Sequence, residues 1–136
     1  MGRSAHDATA LAGEYSLFMS ELEPLLVEIS HLLDRAERDD DPARIERTLT
    51  EGYARALTLE AERSSLQRRV RQMTSALGEQ GGSSTSEVSA LARRLDACDI
   101  TFEQLRGELV RLRRRHSRAV RAATGWACQT SPDRTA

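Results

Sequence analysis

Three heptad runs dominate the sequence, and each continues for many turns without a break. In the first run, apolar residues recur at alternating spacings of four and three from Leu11 to Ala36. The second run extends from Ile45 to Leu77 and the third from Val88 to Ala123. A repeat of this kind is typical of helices that pack side by side along a continuous seam. The sequence therefore predicts an all-α protein built from long helices.

The segments between the runs predict where the helices begin and end. Asp41 followed by Pro42 fits an N-cap and a first helical residue, and Gly78 fits a residue just beyond a helix. The Gly/Ser segment 81–84 fits a flexible linker, and Pro24 would kink the first helix. We expect one domain over residues 1–123, with helices at about 7–38, 42–77 and 85–123, and a disordered tail at 124–136.

Connection lengths and charges predict the topology. The turn at 39–42 is too short for anything but an antiparallel neighbour, whereas the longer linker lets the third helix return beside the first. Residues 1–41 carry a net charge of −7 and residues 106–136 a net charge of +6. An up-down-up bundle of three helices places these two segments side by side. The same seams are satisfied equally by helices of one chain or of two chains.

The residue types argue against an enzyme. Charged residues make up 30% of the chain and aromatic residues only 4%, which is typical of long helices without a wide core. His6, His31 and His116 share no metal-ligand spacing, and no phosphate-binding loop is present. We therefore expect no catalytic residue, no metal site and no cofactor. Cys98 and Cys128 show no pairing pattern and are interpreted as free thiols of a reducing compartment.

The location of the protein is predicted from segments that the sequence lacks. No apolar run approaches the roughly 20 residues that span a bilayer, and the first residues do not resemble a signal peptide. The net charge of −1 provides no global attraction to nucleic acid or anionic lipid. We expect a cytoplasmic protein, or a nuclear one if the source is a eukaryote.

The first helix is apolar on more sides than two neighbours would cover. A column of apolar residues lies beside its seam, and two more lie at positions that should face water. Such a helix is usually buried on more than one side. We therefore predict a surface that binds a helix of another protein, or of a second copy, and that consists of Leu17, Met19, Leu26, Val27 and Leu33.

An arginine cluster near the end of the third helix supports an alternative function. Six arginines within eleven residues could bind nucleic-acid phosphates, although no aromatic residue is interleaved for base stacking. The acidic residues expected nearby, Asp34, Glu37 and the run 39–41, would neutralise part of this charge. Nucleic acid is therefore the less favoured partner. The cluster consists of Arg111, Arg113, Arg114, Arg115, Arg118 and Arg121.

The leading functional prediction is a non-enzymatic adaptor or complex subunit that binds partner helices. In layout alone, the chain also resembles flagellar export chaperones, with two long helices, a Gly/Ser break at 81–84 and a third amphipathic helix. That resemblance implies a small export chaperone for an amphipathic client helix. Trp126, near Cys128, fits either a short linear motif or a side chain that caps the end of the bundle.

Overall fold

A computed structural model describes the backbone of residues 4–80 and 85–129, with side chains at residue 13 and over 16–79 and 85–125. Three helices pack against one another: α1 (Ser4–Asp34), α2 (Pro42–Gln80) and α3 (Thr85–Gln129). A 3₁₀ turn, Glu37–Asp39, lies between α1 and α2. The described ranges contain no strand. The predicted all-α fold of three packed helices is confirmed.

The observed helix ends differ from the predicted ones. Helix α1 stops at Asp34 because the chain turns into the 3₁₀ segment, where the Asp40 amide donates to the carbonyl of Glu37 at 3.2 Å. Helix α2 continues through Gly78 to Gln80, so the predicted stop at Gly78 is wrong. Helix α3 extends to Gln129, into the segment expected to be a tail, and residues 130–136 lie outside the described residues. Pro24 is exposed within an α1 helix that is continuous through it, and the kink stays a prediction.

The start of α2 follows the predicted capping pattern. Asp41 Oδ1 accepts a hydrogen bond from the amide of Ala43 at 3.1 Å, and its backbone carbonyl accepts from Ile45 at 3.1 Å. Pro42 is the first helical residue, where the missing amide hydrogen has no partner to lose. The cap fixes the point at which the chain leaves the turn and enters α2.

The chain divides into two compact units, and each has its own apolar core. The first unit comprises residues 1–49 and 111–136, and the second comprises residues 50–110. The core residues of both units fall on the predicted heptad seams. In the first unit they are Leu22, Leu25, Ile29, Leu32, Ile45, Leu49 and Leu112, and in the second they are Leu59, Leu66, Cys98, Leu105 and Leu109.

Polar contacts fix the direction of the helices within each unit. In the first unit, Arg44 of α2 bonds to Glu28 of α1 with Nη2 to Oε1 at 2.7 Å, across the turn that joins the two helices. In the second unit, Arg94 Nη2 of α3 lies 3.0 Å from Glu62 Oε1 of α2. Farther along, Leu109 of α3 lies against Gly52 of α2. Between these two contacts the residue number falls from 62 to 52 in α2 and rises from 94 to 109 in α3. The predicted antiparallel pairing of α2 with α3 is therefore confirmed.

Gly52 occupies a seam position where a side chain of α3 fills the space. A Cβ at this position would overlap the Cδ2 atom of Leu109, and both residues are buried. A large residue of α3 therefore lies opposite this glycine. The missing side chain lets the two helices come close at this level of the second unit.

Replacing Gly52 with leucine is expected to lower the free energy of unfolding by about 1–3 kcal/mol. The new side chain would displace Leu109 from a filled core, and this outweighs the gain in helix propensity of about 1 kcal/mol. Urea unfolding followed by circular dichroism measures the effect. Gly107→Leu is the control, because nothing lies within 4 Å of a Cβ at that position of α3. Equal effects of the two substitutions would contradict the packing argument.

Candidate functional site

The five residues of the predicted partner-binding surface do not lie on one face of α1. Met19, Leu26 and Leu33 recur every seven residues along one edge of the buried seam, and all three are half-buried. Leu17 and Val27 are 69% and 60% exposed. Leu17 lies nine residues from Leu26, about two and a half turns, and therefore on the opposite side of the helix. The structure thus divides the predicted surface into a packed column and an exposed pair.

The exposed pair belongs to a second heptad stripe that sequence reasoning missed. Its members repeat at spacings of four and three, and every one is exposed without carrying a carboxylate or guanidinium group. A count of apolar residues alone does not find this stripe, whereas a count of uncharged residues would. We call it the outward stripe, and it consists of Gly13, Leu17, Ser20, Pro24, Val27 and His31.

Acidic residues lie on both sides of the outward stripe. Glu23 is exposed on one side, and Glu21 and Glu28 follow the other side. Glu28 also accepts hydrogen bonds from Arg44 Nε and Nη2 at 2.9 and 2.7 Å. One side of the stripe therefore borders the contact with α2, while the other side borders solvent.

Arg115 is a structural residue and not part of an exposed basic patch. Only 5% of it is exposed, and its Nε donates to both carboxylate oxygens of Asp40 at 3.0 and 2.7 Å. Its Nη1 donates to the carbonyl of Leu33 at 2.7 Å, and its Nη2 donates to the carbonyl of Arg35. The hydrogen bond with Asp40 raises the pKa of Arg115 above its ordinary value. One guanidinium therefore satisfies carbonyls at the end of α1 and holds the turn that follows.

The remaining arginines of the cluster are divided between contacts and solvent. Arg118 Nη2 lies 3.1 Å from Glu37 Oε1, and both side chains are largely exposed. Arg113, Arg114 and Arg121 are exposed. The sequence predicted that this cluster would face the acidic turn, and the prediction is confirmed for Arg115 and Arg118. The burial of Arg115 removes one member from any phosphate-binding surface.

A group of charged residues interrupts the seam of the second unit. Arg63, a seam residue of α2, places its Nε 2.5 Å from Asp99 Oδ1 of α3 and its guanidinium carbon 5.9 Å from the centre of the Phe102 ring. The Arg63 Nε and Asp99 Oδ1 atoms are both buried but are not aligned for a hydrogen bond. From its seam position, Arg63 therefore pairs with an acid of α3.

Cys98 lies in the core beside this group. It is fully buried, and its thiol points at the carbonyl of Leu59, with a sulfur–oxygen distance of 3.7 Å. Burial, followed by the charges of Glu62 and Asp99, raises the pKa of the Cys98 thiol. The group is therefore a protonated core residue and not a nucleophile. The side chains of Trp126 and Cys128 lie outside the described residues.

The described residues contain no cluster of His, Cys, Asp and Glu that could hold a metal ion. None of the helices, over the part of the chain that was described, is both long enough and apolar enough to cross a bilayer. The chain has no significant match to a protein-family model, to a curated protein or to a solved structure.

Proposed function

We propose that the protein is a non-enzymatic interaction module that acts as an adaptor or complex subunit and binds a partner helix along the outward stripe of α1. The observation that carries this proposal is the exposure of Leu17 and Val27 on the side of α1 that faces away from its buried seam. An isolated exposed apolar residue needs no explanation. Two such residues within a heptad stripe free of carboxylate and guanidinium groups form a second seam, which stays exposed among the residues that the structure describes.

The physical properties of the stripe suit a helix as the partner. Full burial of a leucine or valine side chain contributes about 1.5–3 kcal/mol, and no carboxylate or guanidinium group on the stripe would have to be removed from water. Gly13 and Ser20 are small, so a second helix could approach closely beside Leu17. The alternating spacing of four and three is the spacing with which one helix packs along another.

Replacing both Leu17 and Val27 with glutamate is expected to weaken partner binding at least tenfold, because each charge would have to be buried against the partner helix. Quantitative affinity capture from the source cells, comparing the wild-type and doubly substituted chains, measures the loss. Ile100→Glu is the control, since Ile100 is equally exposed but lies in α3. A set of captured proteins and an oligomeric state that both stay unchanged would refute the proposal.

The two alternative functions receive less support. The buried Arg115 and the paired Arg118 reduce the basic surface that nucleic acid would use. The export-chaperone interpretation rests on the resemblance in layout and stays a prediction. Its client would be an amphipathic helix, which is also the kind of partner that the outward stripe fits.

A further inference from the structure

A second uncharged face lies on α2, in the unit formed by residues 50–110. Leu57 is 67% exposed at its centre and Tyr53 is 42% exposed one turn earlier. The other members are small, and all are exposed. Their spacing of three, four or seven residues places them on one side of the helix. We call this face the α2 patch, and it consists of Thr50, Tyr53, Ala54, Leu57, Ala61 and Ser64.

The fold of the second unit does not explain the α2 patch. The seam residues Leu59 and Leu66 are buried, and α3 packs against that side of α2. The patch lies on the outer side, where a protein with 30% charged residues is expected to place Arg and Glu. One exposed acid, Glu60, lies at the edge of the patch three residues after Leu57, and the charged residues nearest to its centre line are Glu46 before it and Arg68 after it.

We propose that a second copy of this chain covers the α2 patch, with two α2 helices packed antiparallel and Leu57 at the twofold axis. In such a pair, residues equally far before and after Leu57 face each other. Tyr53 then faces Ala61 of the other copy, and Thr50 faces Ser64. These pairs place a large side chain against a small one and one hydroxyl against another.

Charge favours a second copy in the antiparallel direction. α2 is a single helix over Pro42–Gln80, and along it Glu46 lies as far before Leu57 as Arg68 lies after it. The antiparallel pair therefore places Glu46 of each copy opposite Arg68 of the other. A parallel pair would place like charges together at both ends. Between these residues, uncharged side chains face each other along the middle of the patch, and at its edge Glu60 of each copy faces Ala54 of the other.

The expected dimer is reversible. Residues 50–64 span only about 21 Å of helix, and one helix pair of this length buries less than the roughly 800 Å² per partner of standard stable complexes. Dissociation is therefore expected in the micromolar range. The α2 patch contains no residue of the outward stripe on α1, so dimer formation can fail without affecting the proposed function, and the converse is also true.

The solution mass of the full chain tests the proposal. Light scattering from about 1 µM to about 1 mM protein should show a mass that rises from 15.1 kDa towards twice that value. Leu57→Glu should keep the mass at that of the monomer. Ile100→Glu should leave the dimer intact, because Ile100 is 70% exposed on α3 between Asp96 and Glu103 and outside the patch. A monomer at every concentration, or equal effects of the two substitutions, would overturn the proposal.

Cross-linking tests the position of the axis. Leu57→Cys in a Cys128→Ser background should form a disulfide-linked dimer on treatment with diamide, whereas Ile100→Cys in the same background should stay monomeric. Glu46→Arg should weaken the dimer, and adding Arg68→Glu should restore it. A dimer that cross-links equally at both positions, or that the second charge change does not restore, would contradict this geometry.

Discussion

Replacing Arg115 with alanine is expected to lower the free energy of unfolding by about 3–5 kcal/mol, which is the usual cost of breaking a buried ion pair from one side. The substitution would leave the Asp40 carboxylate, whose side chain is only 4% exposed, without its cation. It would also leave the carbonyls of Leu33 and Arg35 without their donor. Total stabilities of domains are roughly 5–15 kcal/mol, so this loss is large. Urea unfolding followed by circular dichroism measures it.

Neighbouring and paired substitutions separate this contact from a general effect of charge. Arg114→Ala removes an exposed arginine one residue away and should change stability by less than about 0.5 kcal/mol. Arg115→Lys should fall between the two, because lysine keeps the charge but not the planar fork that reaches three acceptors. Arg115→Met with Asp40→Leu should recover much of the loss, since no charge is then left buried. An Arg115→Ala effect no larger than that of Arg114→Ala would contradict the structural role.

The buried seams could be predicted from the sequence because a heptad repeat fixes which side of a helix is covered. Ile29, Leu59 and Leu105 are fully buried, and each lies on its predicted seam. The start of α2 could also be predicted, since Asp41 and Pro42 act through local geometry. These features depend on residues a few positions apart, where spacing alone determines the contact.

Features that depend on distant residues could not be predicted in the same way. In the sequence, Arg115 looks like Arg113 and Arg114, and only the packing of α3 beside the turn brings it to Asp40 and two carbonyls. At the end of α1, the same guanidinium donates to the carbonyls of Leu33 and Arg35, a role that backbone amides play where a glycine caps a helix. Sequence reasoning therefore extended the helix through Arg38 and counted Arg115 as exposed.

The two uncharged faces were missed for a different reason. The sequence contains their positions, but a search for apolar residues does not find Gly13, Ser20 or Ser64. Such a face is recognised by the absence of charged residues on an exposed side of a helix. Which side is exposed is known only once the neighbours of each helix are known. The structure supplies that information for α1 and for α2.

Replacing the Arg63–Asp99 pair with apolar residues is expected to raise the free energy of unfolding. Arg63→Leu with Asp99→Ala should add up to about 1 kcal/mol, because the two side chains are 37% and 38% exposed and their ion pair contributes little, whereas a leucine would add apolar contacts to the seam. The two facing atoms are buried without a well-aligned hydrogen bond, and a leucine at position 63 would continue the seam between Leu59 and Leu66. The midpoint of thermal unfolding, measured by circular dichroism, should rise accordingly.

An ion pair with well-aligned hydrogen bonds is the control that shows whether hydrogen-bond geometry decides the change in the free energy of unfolding. Glu28 accepts two hydrogen bonds from Arg44, so Arg44→Leu with Glu28→Ala should leave stability unchanged or lower it by up to about 1 kcal/mol. If the Arg63–Asp99 replacement also lowered stability, the pair would contribute net stabilisation despite its geometry. The replacement could instead raise stability but broaden the distribution of oligomers. In that case the charges would serve to select one register of α2 against α3, because an uninterrupted apolar seam accepts several registers. A polar pair in the seam would then limit which helices this chain can bind.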